Sequence, residues 1–251
     1  MSNVSVRGLW MEYPNQVVLE RVDLEIPSGE FCALVGPSGC GKTTFLRLLL
    51  GEERPTRGGI FLDDQPLVAE PGPDRGVVFQ RYSVFPHLTA LENVILGREF
   101  EGSRFLGRLF GARRRAALAE AAAVLEAVGL GAHTHKYPAE MSGGMQQRLA
   151  IAQALIRKPK LLLLDEPFGA LDAGTKVQMY ELLLRLWAEE RMTVFMVTHD
   201  LKEGFTLGTR VLAFDKVRVD PTDPGAYGAT ITYNLPLTEK KAVRERLVAA
   251  D

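Results

Sequence analysis

The feature that most restricts how this chain can fold is a glycine-rich segment of eight residues, Gly36-Pro37-Ser38-Gly39-Cys40-Gly41-Lys42-Thr43. An apolar run, Phe31–Val35, precedes the segment, and a helical pattern, Lys42–Leu50, follows from its last two residues. The segment fits the spacing G-x-x-x-x-G-K-[ST], in which glycines let backbone N–H groups turn inward around phosphate oxygens. The following helix adds the positive end of its dipole and its unpaired N–H donors. The sequence therefore predicts a strand, a phosphate-binding loop and a helix in succession.

Three side chains at the end of this segment have expected roles toward a nucleotide. Lys42 would neutralise the β- and γ-phosphates, the Thr43 hydroxyl would bind Mg²⁺, and Thr44 would reach the α-phosphate. Cys40 is interpreted as a small loop residue without a redox role. The expected ligand is a nucleotide with its Mg²⁺.

The rest of the chain alternates between apolar runs and helical patterns, which predicts a parallel sheet covered on both faces. The apolar runs are residues 161–164, 193–197 and 211–214, and a helix is predicted over 174–190. Two N-terminal stretches, residues 4–11 and 17–26, are predicted as strands joined by a turn at 13–15. After Lys216 the pattern predicts a short strand over 230–233 and a terminal amphipathic helix.

The composition excludes several classes of protein. The chain has 251 residues, of which 46% are hydrophobic and 24% charged, as in a soluble globular protein. The net charge of -1 predicts no general affinity for nucleic acid or for an anionic membrane. No apolar run approaches the roughly 18 residues of a membrane helix, and no signal peptide is recognisable. With two cysteines and no disulfide framework, the expected compartment is the cytoplasm.

Two further segments carry candidate chemistry. Asp165 and Glu166 follow a buried apolar run, so they are expected at the carboxyl edge of the sheet, where Asp165 would hold Mg²⁺ and Glu166 would polarise the attacking water. Ser142, Gly143 and Gly144 open a helix and offer a second set of anion-binding N–H groups. Because one nucleotide does not need both sites, we expect two chains to pair head to tail, each Ser142 loop on the partner's γ-phosphate.

Taken in order, these motifs resemble the ATP-binding subunit of an ABC transporter over about residues 4–215. The resemblance implies an α/β fold: a P-loop NTPase cassette with a RecA-like parallel-sheet core, an N-terminal antiparallel β subdomain and a helical signature subdomain. One domain would span 1–251, with the helical subdomain at about 81–158 and a short extension at 216–251. The matching motifs are the Walker A loop at 36–43, the Q-loop Gln80, the signature-like segment 141–147, the Walker B strand 161–165 with Glu166, the D-loop at 169–172 and the switch histidine His199.

The resemblance implies a role for each matching residue. Tyr13 would stack on adenine, with Trp10 as the rival. Gln80 would touch Mg²⁺ and the attacking water, and His199 would hydrogen-bond the γ-phosphate. Asp172 would line the dimer interface. Gln80 and His199, together with Lys42 and Glu166, would catalyse the hydrolysis of ATP to ADP and phosphate.

The signature departs from the general pattern, with Met141 and Met145 in place of Leu and Gln. Segments 142–148 and 85–94 are instead similar to the branch that imports nitrate, sulfonate and taurine. Segment 98–115, rich in Arg and Phe, is longer than the family usually has. Two interpretations of it stay open, a solvated loop or a contact with a partner, whether nucleic acid or permease.

The implied function is ATP-driven import of a small polar solute through a separate integral membrane permease, at the cytoplasmic face of the inner membrane. An apolar groove with Val84, Phe85, Pro86 and Leu88 is the expected permease contact. An extracytoplasmic binding protein would deliver the solute, and no nucleic acid is expected as a partner. The solute is nitrate-, sulfonate- or taurine-like, or, from the tail at 223–237, urea- or guanidine-like. The alternatives are a lipid-trafficking or exporter ATPase, and a soluble ABC ATPase acting on nucleic acid or ribosomes.

Overall fold

The computed structural model describes residues 2–79, 83–102 and 108–237, apart from the side chains of residues 101 and 102. The strands are β1 (Val4–Tyr13), β2 (Gln16–Ile26), β3 (Phe31–Val35), β4 (Arg57–Leu62), β5 (Gln65–Pro66), β6 (Arg75–Val78), β7 (Leu161–Asp165), β8 (Thr193–Val197), β9 (Arg210–Asp215) and β10 (Thr230–Pro236). The helices are α1 (Lys42–Leu50), α2 (Ala90–Gly102), α3 (Gly111–Ala127), α4 (Gly143–Leu155), α5 (Ala173–Glu190) and α6 (Leu201–Leu207).

The chain divides into two compact units. Of the described residues, the first unit holds 2–77, Lys160–Glu166 and 184–237, and the second holds Val78–Pro159 and Pro167–Leu183. None of the helices within the described ranges is long and apolar enough to cross a membrane.

The first unit contains two sheets. An antiparallel sheet has the order β2-β1-β4-β5, and a six-stranded sheet has the order β10-β9-β3-β8-β7-β6. In the larger sheet β9, β3, β8 and β7 are parallel, and β10 joins β9 antiparallel at the edge. Every residue of β3 and β8 is buried, which explains why these strands are nearly continuous apolar runs without alternation. The prediction of a parallel α/β core with an antiparallel N-terminal sheet is confirmed.

Helix α1 packs on the larger sheet through its aromatic residue. The ring centroid of Phe45 lies 5.3 Å from that of Phe214 in β9 and 6.3 Å from that of Phe195 in β8. Phe45 is fully buried between these strands and the helix. Because β3, β7 and β8 are parallel, their carboxyl ends meet at one edge of the sheet, where such folds bind ligands.

The second unit is mainly helical. Ala117, Ala121 and Leu125 of α3 are buried at four-residue spacing, so one stripe of this helix faces the unit's interior. The interpretation of segment 98–115 as a loop is wrong at both ends, because α2 continues to Gly102 and α3 begins at Gly111. Ion pairs between the helices explain the difference, since Arg98 meets Glu120 at 2.7 Å. Residues 103–107 and the predicted terminal helix lie outside the described residues.

Candidate nucleotide site

The glycine-rich segment follows β3 directly. Its first residue, Gly36, has a backbone conformation and surroundings that only glycine accommodates. Gly36 has a φ of 147°, and a Cβ there would lie 2.2 Å from the carbonyl oxygen of Phe214. Gly41, immediately before α1, has a φ of 90°, and a Cβ there would lie 2.8 Å from Leu19 Cδ2. Close approach of β9 and β2 to this loop therefore requires glycine at both ends.

Lys42 is buried within the loop that it follows. Its Nζ donates to the carbonyl oxygens of Gly36 at 2.7 Å and Pro37 at 2.8 Å. The same nitrogen lies 3.6 Å from Cys40 Sγ. The ammonium group is therefore held by neutral acceptors inside the loop, and its charge remains available to an anion.

The first residue pair brought together across the sheet is Thr43 and Asp165. The Thr43 hydroxyl donates to Asp165 Oδ1 at 3.2 Å, although the two residues are 122 positions apart. Burial raises the pKa of Asp165, and the Thr43 hydrogen bond and the charges of Arg47 and Lys42 work against that effect. A hydroxyl beside a partly buried carboxylate fits Mg²⁺, because both offer hard oxygen ligands and the cation would relieve the buried negative charge.

The second pair is Glu166 and His199. Glu166 has a φ of 46°, a left-handed conformation that is uncommon for a residue with a side chain and is enriched at active sites. Its N–H donates to the carbonyl oxygen of Val197 at 3.0 Å, which ties it to the end of β8. His199 Nδ1 lies 3.4 Å from Glu166 Oε2.

A cavity of about 450 Å³ lies beside the loop. It is lined by Tyr13, Gln16, Val18, Ser38, Gly39, Gly41, Lys42, Thr43, Thr44, Glu166 and Val197. Of the two aromatic candidates for adenine stacking, Tyr13 lines the cavity, whereas Trp10 stacks on Arg57 with 5.0 Å between the guanidinium carbon and the ring centroid.

Gln16 and Val18 were not among the predicted site residues, although both line this cavity. Tyr13 ends β1 and pairs with Gln16 at the start of β2, so the hairpin register brings the three together. The sequence does contain a pattern that could have identified them. Gln16 and Val18 follow the predicted turn at i, i+2 spacing, which places both side chains on one face of a strand.

The signature-like segment belongs to the second unit. Ser142 is exposed and caps α4, where its hydroxyl accepts a hydrogen bond from the Met145 N–H at 3.3 Å. Gly143 is exposed as well, so backbone donors at the start of this helix are accessible. Met141 is buried, so the departure from leucine exchanges one core side chain for another.

Asp172 lies at the start of α5, also in the second unit. It accepts hydrogen bonds from Thr175, from the hydroxyl at 2.6 Å and from the N–H at 3.0 Å, and these bonds lower the pKa of Asp172. A Cβ at Gly144 would lie 2.6 Å from Thr175 Cγ2. Within this unit, α4 and the Asp172 turn therefore pack closely. Gln80, the remaining predicted site residue, lies outside the described residues.

Comparison with known proteins identifies relatives for most of the chain. A family model described as ABC transporter matches residues 19–169. The nitrate import ATP-binding protein NrtD of Synechococcus elongatus is 47% identical over 200 residues, covering 78% of this chain and 69% of that protein. The aliphatic sulfonates import ATP-binding protein SsuB 1 of Rhizobium johnstonii is 42% identical over 216 residues, covering 86% and 74%.

A third relative is longer than this chain. The bicarbonate transport ATP-binding protein CmpC of Synechococcus elongatus is 44% identical over 244 residues, which cover 95% of this chain but 35% of that protein. The chain thus spans about a third of CmpC.

A solved structure supports the same assignment. The dimeric structure of MJ0796, a bacterial ABC transporter cassette, matches with a TM-score of 0.74 and 30% identity, over 93% of this chain and 98% of that chain. The α/β fold is therefore that of an ABC cassette. With a family model matching more than half of its length and relatives at 42 to 47% identity, the chain belongs to the ABC transporter family.

Proposed function

We propose that this chain is the ATP-hydrolysing subunit of an importer for a small polar solute. The observation that supports this most directly is the meeting of Lys42, the Thr43–Asp165 pair and Glu166 around one loop and cavity. We propose that the whole chain acts as one ATPase domain, with residues 81–158 as its helical subdomain and 216–251 as a short extension.

In this proposal each residue has a separate task. The loop N–H groups and Lys42 bind the phosphates, Tyr13 stacks on the base, and Thr44 contacts the α-phosphate. Thr43 and Asp165 would hold Mg²⁺, with Gln80 as a further contact, and the cation would supply charge neutralisation at the phosphates. Glu166 accepts a proton from the attacking water, and His199 hydrogen-bonds the γ-phosphate.

We propose that two copies pair head to tail around two ATP molecules. The exposed Ser142 and Gly143 at the start of α4 would then donate to the γ-phosphate bound by the partner copy. Asp172 would lie at the interface, and Gly144 would keep α4 close to that turn. The solved cassette MJ0796 is dimeric, which supports the pairing of two copies.

The proposed permease contact is the segment before α2. Phe85 is 41% exposed, although its backbone is held tightly. Asn93 accepts from the Phe85 N–H at 2.7 Å and donates to the carbonyl oxygens of Phe85, Leu88 and Thr89 at 2.9 to 3.1 Å. A rigid loop that presents an exposed aromatic side chain suits the docking of a cytoplasmic helix of a permease. The subunit would thus work as a peripheral protein on the cytoplasmic side of the membrane.

We propose a small oxyanion as the solute. The relatives are named for nitrate, bicarbonate and aliphatic sulfonates, which share this chemistry. A binding protein outside the membrane would select the solute, because in this proposal the residues around the glycine-rich loop are assigned to ATP and none to the cargo.

The first experiment is affinity purification of tagged full-length chain from detergent-solubilised native membranes, followed by mass spectrometry. Recovery of a polytopic membrane protein, together with Mg²⁺-dependent ATP hydrolysis by the sample, is the expected result. Recovery of ribosomal or DNA-bound proteins without any membrane protein would overturn the importer proposal.

A matched pair of variants makes this experiment specific. Phe85→Ser should abolish recovery of the membrane protein while leaving ATP binding intact. Val177→Ser changes an apolar side chain of the same unit, in α5, that is 54% exposed, and should leave the recovery unchanged. Equal losses in both variants would contradict the proposed docking loop.

A further inference from the structure

The first unit contains a segment with no role in the proposed mechanism, residues 223–229, which we call the C-terminal strap. It follows β9 and leads into β10, which pairs with β9 at the edge of the larger sheet. Before it enters β10, the strap runs along β2, which belongs to the other sheet of the same unit. One short segment therefore connects the edges of both sheets.

Three backbone hydrogen bonds attach the strap to β2. Val17 N–H donates to the Gly225 carbonyl oxygen at 2.8 Å, and Glu20 N–H donates to the Ala229 carbonyl oxygen at 2.9 Å. Ala229 N–H donates in return to the Val18 carbonyl oxygen at 3.0 Å. Since β2 is the edge strand of the antiparallel sheet, the strap pairs backbone groups that would otherwise lack a neighbouring strand.

Side chains reinforce the same contact. The Glu20 carboxylate pairs with the Arg218 guanidinium and accepts a hydrogen bond from the Gly228 N–H at 3.3 Å. The Arg218 guanidinium carbon in turn lies 4.3 Å from the ring centroid of Tyr227. Ala229 has no exposed surface. The strap is thus built into the unit rather than resting on it.

Two glycines allow the strap to approach the hairpin this closely. A Cβ at Gly225 would lie 2.6 Å from the Asn15 carbonyl oxygen, in the turn between β1 and β2. A Cβ at Gly228 would lie 2.8 Å from the carbonyl carbon of Leu19. Neither contact involves a flexible side chain, so a larger residue must displace the hairpin backbone.

The strap contacts the β1–β2 hairpin. Residues of this hairpin line the part of the nucleotide cavity that the phosphate loop does not. Tyr13, Gln16 and Val18 line this cavity, and Val17 and Val18 are themselves hydrogen-bonded to the strap. Gly41 abuts Val18 and Leu19, so the position of β2 is also linked to the start of α1.

We infer that the C-terminal strap is a positioning element for the nucleoside part of ATP. It holds the hairpin residues against the base and ribose, while the triphosphate is bound by the loop at 36–43. This inference rests on the proposed function, because it requires that the cavity binds ATP. If this inference is correct, the C-terminal extension contributes to the affinity for ATP separately from the phosphate loop at 36–43.

The test compares two ligands that share the phosphate loop but differ in the base. Dissociation constants for ATP and for inorganic tripolyphosphate, both with Mg²⁺, are measured by calorimetry on the full-length chain. In Gly225→Ala the constant for ATP should rise by about tenfold, equivalent to about 1.4 kcal/mol, and that for tripolyphosphate should change by less than about twofold. Gly59→Ala is the control, since a Cβ at this β4 glycine meets only the Phe61 ring at 3.4 Å.

Each outcome decides the matter. An unchanged ATP constant in folded Gly225→Ala, or an equal loss for both ligands, would overturn the positioning role. If Gly225→Ala does not fold, Arg218→Gln decides, because its side chain is 57% exposed and its loss loosens the strap without changing the core. That variant should raise the ATP constant by about threefold and spare tripolyphosphate. Failure of the unaltered chain to bind either ligand would instead contradict the proposed function, and this inference with it.

Discussion

His199 Nδ1 lies 3.4 Å from Glu166 Oε2, and this contact joins the residues that follow two adjacent parallel strands, β7 and β8. The Glu166 N–H is bonded to Val197 at 3.0 Å, so the backbone and the side chain of Glu166 are both oriented by the end of β8. Glu166 has a left-handed backbone conformation, with a φ of 46°, and lines the cavity beside the glycine-rich loop.

The first prediction concerns Glu166, the proposed proton acceptor. Glu166→Gln keeps the side-chain size but removes the charge, so the ATP hydrolysis rate should fall by about 100-fold or more while ATP binding stays nearly unchanged. Because ATP is then held without being cleaved, light scattering should detect an ATP-dependent dimer. Glu181→Gln on the exposed face of α5 is the control. Hydrolysis by Glu166→Gln at the unaltered rate would exclude Glu166 as the acceptor.

The second prediction uses the pKa of Asp165. Burial raises this pKa, so the folded state binds the carboxyl proton more tightly than the unfolded state does. The contribution of Asp165 to stability is therefore present at low pH and is lost as pH rises through its folded-state pKa. At pH 7 without ligand, Asp165→Asn should raise Tm by about 1–2 °C, and this gain should vanish near the ordinary carboxyl pKa of about 3.9.

Mg²⁺ and a second aspartate provide the controls for that prediction. With Mg²⁺ and ATP present, the unaltered chain should gain more in Tm than Asp165→Asn, because the carboxylate is a proposed ligand of the cation. Asp172 has a pKa lowered by hydrogen bonds from Thr175, so Asp172→Asn should lower stability at pH 7, the opposite sign. Differential scanning fluorimetry across the pH range measures all three proteins. Equal signs in the two variants would contradict the argument.

The third prediction separates two glycines of the phosphate loop. Gly36→Ala forces a Cβ to within 2.2 Å of the Phe214 carbonyl oxygen, whereas Gly39→Ala meets nothing within 4 Å. Both positions have positive φ, so Gly39→Ala should cost about 1–2 kcal/mol from conformation alone. Gly36→Ala must also move β9 or the loop, and should cost about 3 kcal/mol or more. Urea unfolding of both variants measures the difference, and equal losses would show that the Phe214 contact is unimportant.

The parts of the fold that depend on local signals could be predicted well. β3 and α1 have the predicted bounds, because an apolar run, a glycine loop and a helix-forming stretch follow one another without interruption. The prediction of a loop over the Arg-rich segment 98–115 is wrong at both ends. The two helices there are joined by ion pairs such as Arg114 to Glu99 at 3.5 Å, and a local sequence pattern does not show which distant residues will pair.

Only part of the candidate site could be predicted, again because contacts between distant residues depend on how the strands are arranged. Thr43 and Asp165 were each found from their own motifs, but their 3.2 Å contact depends on the strand order β3-β8-β7, which the alternation of strands and helices does not specify. Gln16 and Val18 were missed, because their place at the cavity results from hairpin register and from close packing against Gly41.

The last prediction concerns a buried amide just after the signature-like segment. Gln147 is fully buried, and within the described part of the chain neither its side-chain nitrogen nor its side-chain oxygen has a hydrogen-bond partner. Its neighbour Gln146 donates to the Pro138 carbonyl oxygen at 2.9 Å and to that of Met141 at 3.3 Å. Burying an unpaired amide costs free energy, whereas a satisfied amide stabilises the fold. The two adjacent glutamines should therefore respond to the same substitution with opposite signs.

Methionine is the suitable replacement, because it is unbranched, similar in size and fills irregular core space. Gln147→Met should raise the free energy of unfolding by about 1 kcal/mol, and Gln146→Met should lower it by a similar amount. Urea unfolding with a common slope for all three proteins gives the comparison. A loss of stability in Gln147→Met would mean that this amide has a hydrogen-bond partner in solution, such as an ordered water, beside α4.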